Sequence, residues 1–136
     1  MRGVAAVEFG LMLPILILLL FGIVEYGRMF YQYNTLVKSV RDGARYISVY
    51  SPTDPSYGTY KTQASCMVVY GNTGCTGSAL VTGLTTSKVN IAQLSSGTVK
   101  MVKVAISGFS LGYITGYFPN TLTFGDISIT MRQAES

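Results

Sequence analysis

The chain has 136 residues, ten Lys or Arg, six Asp or Glu and no His, for a net charge of +4. That is enough for one small domain once a membrane-length segment is set aside, and the cations form no run that would argue for nucleic acid. With no His, no G-x-S-x-G, no acids paired at catalytic spacing and no metal-ligand cluster, nothing in the sequence calls for an active site, a metal or a cofactor.

Residues 3–9 read GVAAVEF, and an uncharged stretch runs from Phe9 to Val24. With Val4 to Val7 before it and Tyr26 after it, the apolar reach is about 20 residues, the usual spanning length. A secretory signal would carry its small-residue cleavage site after the apolar core. Here the small residues Gly3, Ala5 and Ala6 precede it, and residues 21–26 offer no A-x-A site. Glu8 is a carboxylate beside hydrocarbon, which is expensive, so it is a candidate functional residue; the bland alternative is a solvated charge among headgroups. Ala6 and Gly10 form a small-xxx-small pair that permits close helix approach. Pro14 removes one backbone donor and predicts a kink or local loosening. Tyr26, Phe30, Tyr31 and Tyr33 follow the core as an interfacial belt.

The helical pattern continues beyond the apolar run. Leu36, Val37, Val40, Ala44 and Ile47 recur at three- and four-residue steps, with Lys38, Arg41, Asp42 and Arg45 on the other face. One helix over residues 4–48 is predicted, on the order of 65 Å long. Its segment of about 5–25 lies in lipid, and its outer half packs on a small domain. Arg28, Lys38, Arg41 and Arg45 read as a solvated helix face, with lipid headgroups or an acidic partner as the alternative. By the positive-inside rule these cations, set against Arg2, place the C-terminal part in the cytoplasm; the cysteine pair and the lysine-poor composition argue for export.

Asp54 and Pro55 fit the cap and first position of a short helix reaching about Val69, with Tyr60, Ala64, Met67 and Val68 on one face. Cys66 and Cys75 flank a glycine-bearing loop. Outside the cytoplasm they predict a local disulfide, and in a reducing compartment two free thiols. Two sulfurs with no histidine do not fill a zinc shell. The loop 71–77 reads as a turn, since it lacks the Lys-Ser/Thr ending of a phosphate loop. Strands are predicted over 88–94, 99–107 and 123–132, with a turn at Ser95-Ser96-Gly97. Val102, Val104 and Ile106 share one face of the second strand, and Ile127, Ile129 and Met131 one face of the third. They make a three-stranded antiparallel sheet with one face on the long helix, an α+β architecture. The connection 108–121, with Gly108, Gly112 and Gly116 at four-residue steps, is too short to span and reads as an exposed loop or interaction surface.

Arg2-Gly3-Val4-Ala5-Ala6-Val7-Glu8-Phe9, with Pro14 inside the apolar run, resembles the N-terminus of TadE-like pseudopilins, minor components of tight-adherence (Flp-type) pili in the type IV filament systems of bacteria. Softer likeness continues at residues 37–46, 68–71, 80–89 and 129–132. The resemblance implies a leader stub at residues 1–3 and cutting by a prepilin peptidase between Gly3 and Val4. Glu8 and Phe9 become the fifth and sixth residues of the mature chain. Phe9 is the aromatic that TadE-like members commonly show, where the major Flp pilins usually carry Tyr. The short leader puts the start codon rather than the family in question. A freed Val4 amine would meet Glu8 of a neighbouring chain, since an unpaired charge in low dielectric is costly.

The implied protein is a minor pilin or pseudopilin that primes, tips or anchors a filament for surface attachment. Its partners are other pilin and pseudopilin subunits, the prepilin peptidase, the inner-membrane assembly platform and the lipid bilayer. It is single-pass in the inner membrane with residues 49–136 exported, and extracellular once in a pilus. The alternatives are a single-pass envelope protein whose exported domain binds a ligand or partner without entering a filament and, behind it, a small exported hydrolase or binding domain on an uncleaved anchor.

Overall fold

The computed structural model describes residues 2–112 and 121–134. α1 (Arg2–Ser48) is continuous through Pro14. Among the described residues nothing packs on its first half. From Glu25 onward one stripe turns inward, and Met29, Leu36, Val40, Ala44 and Ile47 are buried while Lys38, Arg41 and Arg45 stay exposed. The predicted stripe is therefore the observed one, except that Val37 sits at its edge, half-buried. Apolar residues at helical steps bury one side and leave the charged side in water.

α2 (Tyr57–Tyr70) crosses α1 at Gly43. A Cβ at that glycine would lie 2.4 Å from Cγ2 of Val68 and 3.1 Å from the Ala64 carbonyl oxygen, so any larger residue there forces α2 or Val68 to shift. α2 starts later than its sequence indicates. The Asp54 carboxylate accepts a hydrogen bond from the Ser56 N–H at 2.7 Å, and the Tyr57 N–H donates to the Asp54 carbonyl at 2.9 Å. Asp54 thus closes a turn before the helix rather than capping it, as short side-chain acceptors readily do. At the far end Gly71 takes the left-handed conformation (φ 74°) and its N–H donates to the Met67 carbonyl.

The main sheet has the order β1-β2-β5, all antiparallel, from β1 (Val89–Ser96), β2 (Val99–Ile106) and β5 (Ile127–Arg132). Val89 pairs with Ile106 and Ser96 with Val99, while Val102 pairs with Met131 and Val104 with Ile129. Val102, Val104 and Ile106 are buried against the helices, and Ile127, Ile129 and Met131 complete that face. Ser95 and Ser96 belong to β1. The turn is Gly97-Thr98, two residues long with a positive φ at Gly97 (61°), the geometry that matches strand twist.

The predicted loop 108–121 is corrected by the structure. Phe109 is buried, with the Lys88 ammonium 5.1 Å from its ring centroid. Beyond it β3 (Ser110–Gly112) pairs with β4 (Thr121–Thr123) as a separate two-stranded ribbon. This ribbon takes over the start of the predicted third strand. Residues 113–120, Gly116 among them, lie outside the described residues.

Gln133 ties the domain together. Its side-chain amide donates to the Tyr50 carbonyl at 2.9 Å and to the Tyr57 hydroxyl at 2.7 Å, and its backbone N–H donates to the Lys100 carbonyl. One residue after β5 therefore joins the end of α1, the start of α2 and β2.

Candidate assembly helix and its collar

The exposed half of α1 is the chain's most unusual surface. Its 18-residue apolar window has a mean hydropathy of 2.6 and none of it is buried. The helix is long and apolar enough to cross a membrane. Val4, Val7, Phe9, Leu11, Ile15 and Leu18 each expose more than half of their surface. An apolar surface this large and continuous marks a place for lipid or for another protein.

Glu8 lies in the middle of this surface, exposed, with Val4, Ala5, Leu11 and Met12 at the helical steps around it. Gly3, Gly10, Gly22 and Gly27 have open space where a Cβ would stand, so the chain's own packing does not require them. Their smallness leaves shallow notches on the outer surface, the feature that lets helices approach closely. Pro14 offers no N–H to the Gly10 carbonyl one turn earlier, so that oxygen is free for another donor. Gly3, Val4, Glu8, Phe9 and Pro14 are thus brought onto one uncovered rod. Cys66 and Cys75 stand apart from it, joined as a disulfide with 4.8 Å between their Cα atoms.

The disulfide closes a loop organised by Asn72. The Asn72 side-chain oxygen accepts from the N–H groups of Gly74 and Thr76, and its amide donates to the carbonyls of Tyr70 and Thr76. Nearby, the Tyr50 and Tyr60 rings stack at 3.8 Å and the Tyr46 hydroxyl donates to Gln63 at 2.7 Å. Burial, reinforced by Tyr50, pushes the Tyr46 phenol up to about 12. Among the described residues no three of His, Cys, Asp and Glu gather to hold a metal.

Where the exposed rod enters the domain, a collar forms that sequence reasoning missed. Glu25 is 5% exposed. Arg28 donates to its carboxylate at 3.2 Å and also to the Gln32 side chain and the Gly112 carbonyl. The guanidinium therefore neutralises a buried acid and fastens β3 to α1, a use of its fixed fork of donors. On the other flank Tyr33 packs on Phe124, ring centroids 5.3 Å apart. The β3–β4 ribbon and the β4–β5 connection thus grip α1 from both sides, just past the apolar run. An acid at the end of that run with Arg three residues later was the signal available; Arg28 reads in sequence only as one of four cations.

The pattern of an apolar, acid-bearing rod leading into a packed helix has a counterpart among known proteins. Residues 3–45 match the family model described as TadE-like protein. Over that stretch the chain is similar to TadE-like proteins. The match takes in the exposed rod, the collar positions Glu25 and Arg28, and Gly43. It ends before α2, so the softer likenesses at 68–71, 80–89 and 129–132 fall outside it. No curated protein and no solved structure matches the chain.

Proposed function

We propose that this chain is a minor pilin or pseudopilin of a tight-adherence pilus. It is anchored in the bacterial inner membrane through residues 5–25, with residues 49–136 exported, and it lies outside the cell when built into a filament. The observation that supports this reading most is that the TadE-like match takes in the apolar first half of α1, which the described residues leave bare. A helix half with no partner among the described residues is suited to lipid before assembly and to sister helices after it.

The steps are those that the resemblance to TadE-like pseudopilins implies. The prepilin peptidase cuts between Gly3 and Val4, reading Glu8 and Phe9, and frees an amine at Val4. That cation and the Glu8 carboxylate of a neighbour neutralise each other where neither is well solvated. Val4 and Glu8 are four residues apart, so the pair sets an axial stagger of about 6 Å between adjacent rods. Ala6 and Gly10 permit the approach, and Pro14 loosens the helix locally where the rods must adjust. The inner-membrane assembly platform and other pilin and pseudopilin subunits are the partners, and the subunit's work is to prime, tip or anchor the filament for surface attachment.

Replacing Glu8 with Ala tests the reading. Expected is a chain that is made and folds, with its disulfide formed, yet fails in processing or is lost from surface pili. Normal processing and normal piliation would remove the mechanism and leave the alternative, a single-pass envelope protein whose exported domain binds a partner outside any filament.

A further inference from the structure

We infer that the groove beside the collar binds the ammonium group of a phosphatidylethanolamine headgroup. The inference rests on the membrane-anchored reading above. The groove, about 420 Å³ in volume, lies between α1 and the β4–β5 connection, and its walls include Tyr26, Phe30, Tyr33, Phe124 and Asp126. Four aromatic residues and a single carboxylate lining one groove is a chemistry that suits an organic cation. The ring faces attract positive charge, and the acid sets the sign and repels a phosphate-only headgroup.

Position argues for a lipid as the source of that cation. Tyr26 and Phe30 stand two and six residues past Val24, about 3 and 9 Å along the helix axis from the last residue of the apolar run. The headgroup layer is roughly 5–8 Å deep on each side of the hydrocarbon. Tyr26 therefore lies within the headgroup layer and Phe30 at its outer limit, while Tyr33, about 14 Å past Val24, stands in the water beyond, so an ethanolamine ammonium reaches the groove at its lower end, beside Tyr26 and Phe30. Tyr26 and Phe30 are 70% and 61% exposed within the chain itself, so the lower wall is open toward the bilayer. The one cation at this level of the helix, Arg28, is turned to the opposite flank by its bonds to Glu25 and Gly112. The groove keeps a net negative character although the chain is positive overall.

The experiment uses the full chain in nanodiscs of equal phosphatidylethanolamine and phosphatidylglycerol, released into native mass spectrometry to identify retained lipid. Expected is retention of phosphatidylethanolamine over phosphatidylglycerol by about five-fold. That preference is kept in Asp126→Glu and lost in Asp126→Asn and in Tyr26→Leu, two substitutions at exposed positions that leave the disulfide and the helix content intact. Equal retention of the two lipids by the wild-type chain would overturn the inference, as would an unchanged preference in Asp126→Asn. A photo-crosslinker at position 26 that captures a second copy of the chain and no lipid would also overturn it. Failure to insert in either bilayer would instead strike the anchored reading itself, and the inference with it.

Discussion

The two halves of α1 share one backbone and differ in what completes them. From Glu25 to Ser48 the helix is amphipathic, and α2 and the sheet supply its apolar partners. From Gly3 to Val24 it is apolar on every side but for Glu8, with nothing from the described residues against it. A helix polar on one side is finished by its own domain. One apolar on every side is finished by hydrocarbon or by other chains. The comparison teaches that the position of a side chain along this one helix decides whether its loss is felt as folding or as assembly.

Substitutions of equal chemistry in the two halves sharpen the contrast most. Leu36→Ala, at a fully buried site, is expected to lower the unfolding free energy of the domain by about 2–5 kcal/mol. Leu16→Ala, at an exposed site, is expected to leave it unchanged within about 0.5 kcal/mol. Denaturant titration of both chains in the same detergent reads the difference. Next in size is reduction of Cys66–Cys75, expected to cost the domain about 2–3 kcal/mol by releasing a short loop. Helix content at 4–24 should not respond, which circular dichroism before and after reduction can follow.

Removing the Arg28 guanidinium breaks the boundary between the halves. Arg28→Ala leaves the Glu25 carboxylate buried without that partner and β3 without its tie, an expected loss of about 2 kcal/mol. Arg28→Lys should recover only part of it, because a single ammonium cannot span Glu25, Gln32 and Gly112. Hydrogen exchange of the 110–112 amides would show the ribbon loosening in both variants. The smallest effect among the packed positions is expected at Gly43→Ala. Overpacking against Val68 and Ala64 costs about 1–3 kcal/mol, and better helix propensity returns up to about 1 kcal/mol. The net is about 1 kcal/mol of destabilisation, read by thermal unfolding, with Gly43→Leu clearly worse.

Much of this architecture was legible because its signals are local. Leu36, Val40, Ala44 and Ile47 declare their face by spacing alone, and Val102, Val104 and Ile106 do the same at period two. The boundaries moved where short-range polar chemistry competed. Asp54 could cap a helix or close a turn, and which bond it makes depends on the chain direction that Tyr57 and Gln133 fix from a distance. The ribbon of β3 and β4 was hidden because three-residue strands carry no readable period, and Phe109 looks the same in sequence whether exposed or buried. Glu8 announces itself by standing alone in an apolar run. Glu25 does not, because an acid at the end of such a run looks like a membrane boundary until Arg28 and Gly112 are seen to enclose it.

Edman or mass-spectrometric determination of the N-terminus, on protein taken from surface filaments of the native host, tests the central claim most directly. The account predicts a mature chain that begins at Val4 and is recovered with the pili. A chain that keeps Gly3 and everything before it, found in membranes and absent from filaments, would contradict it.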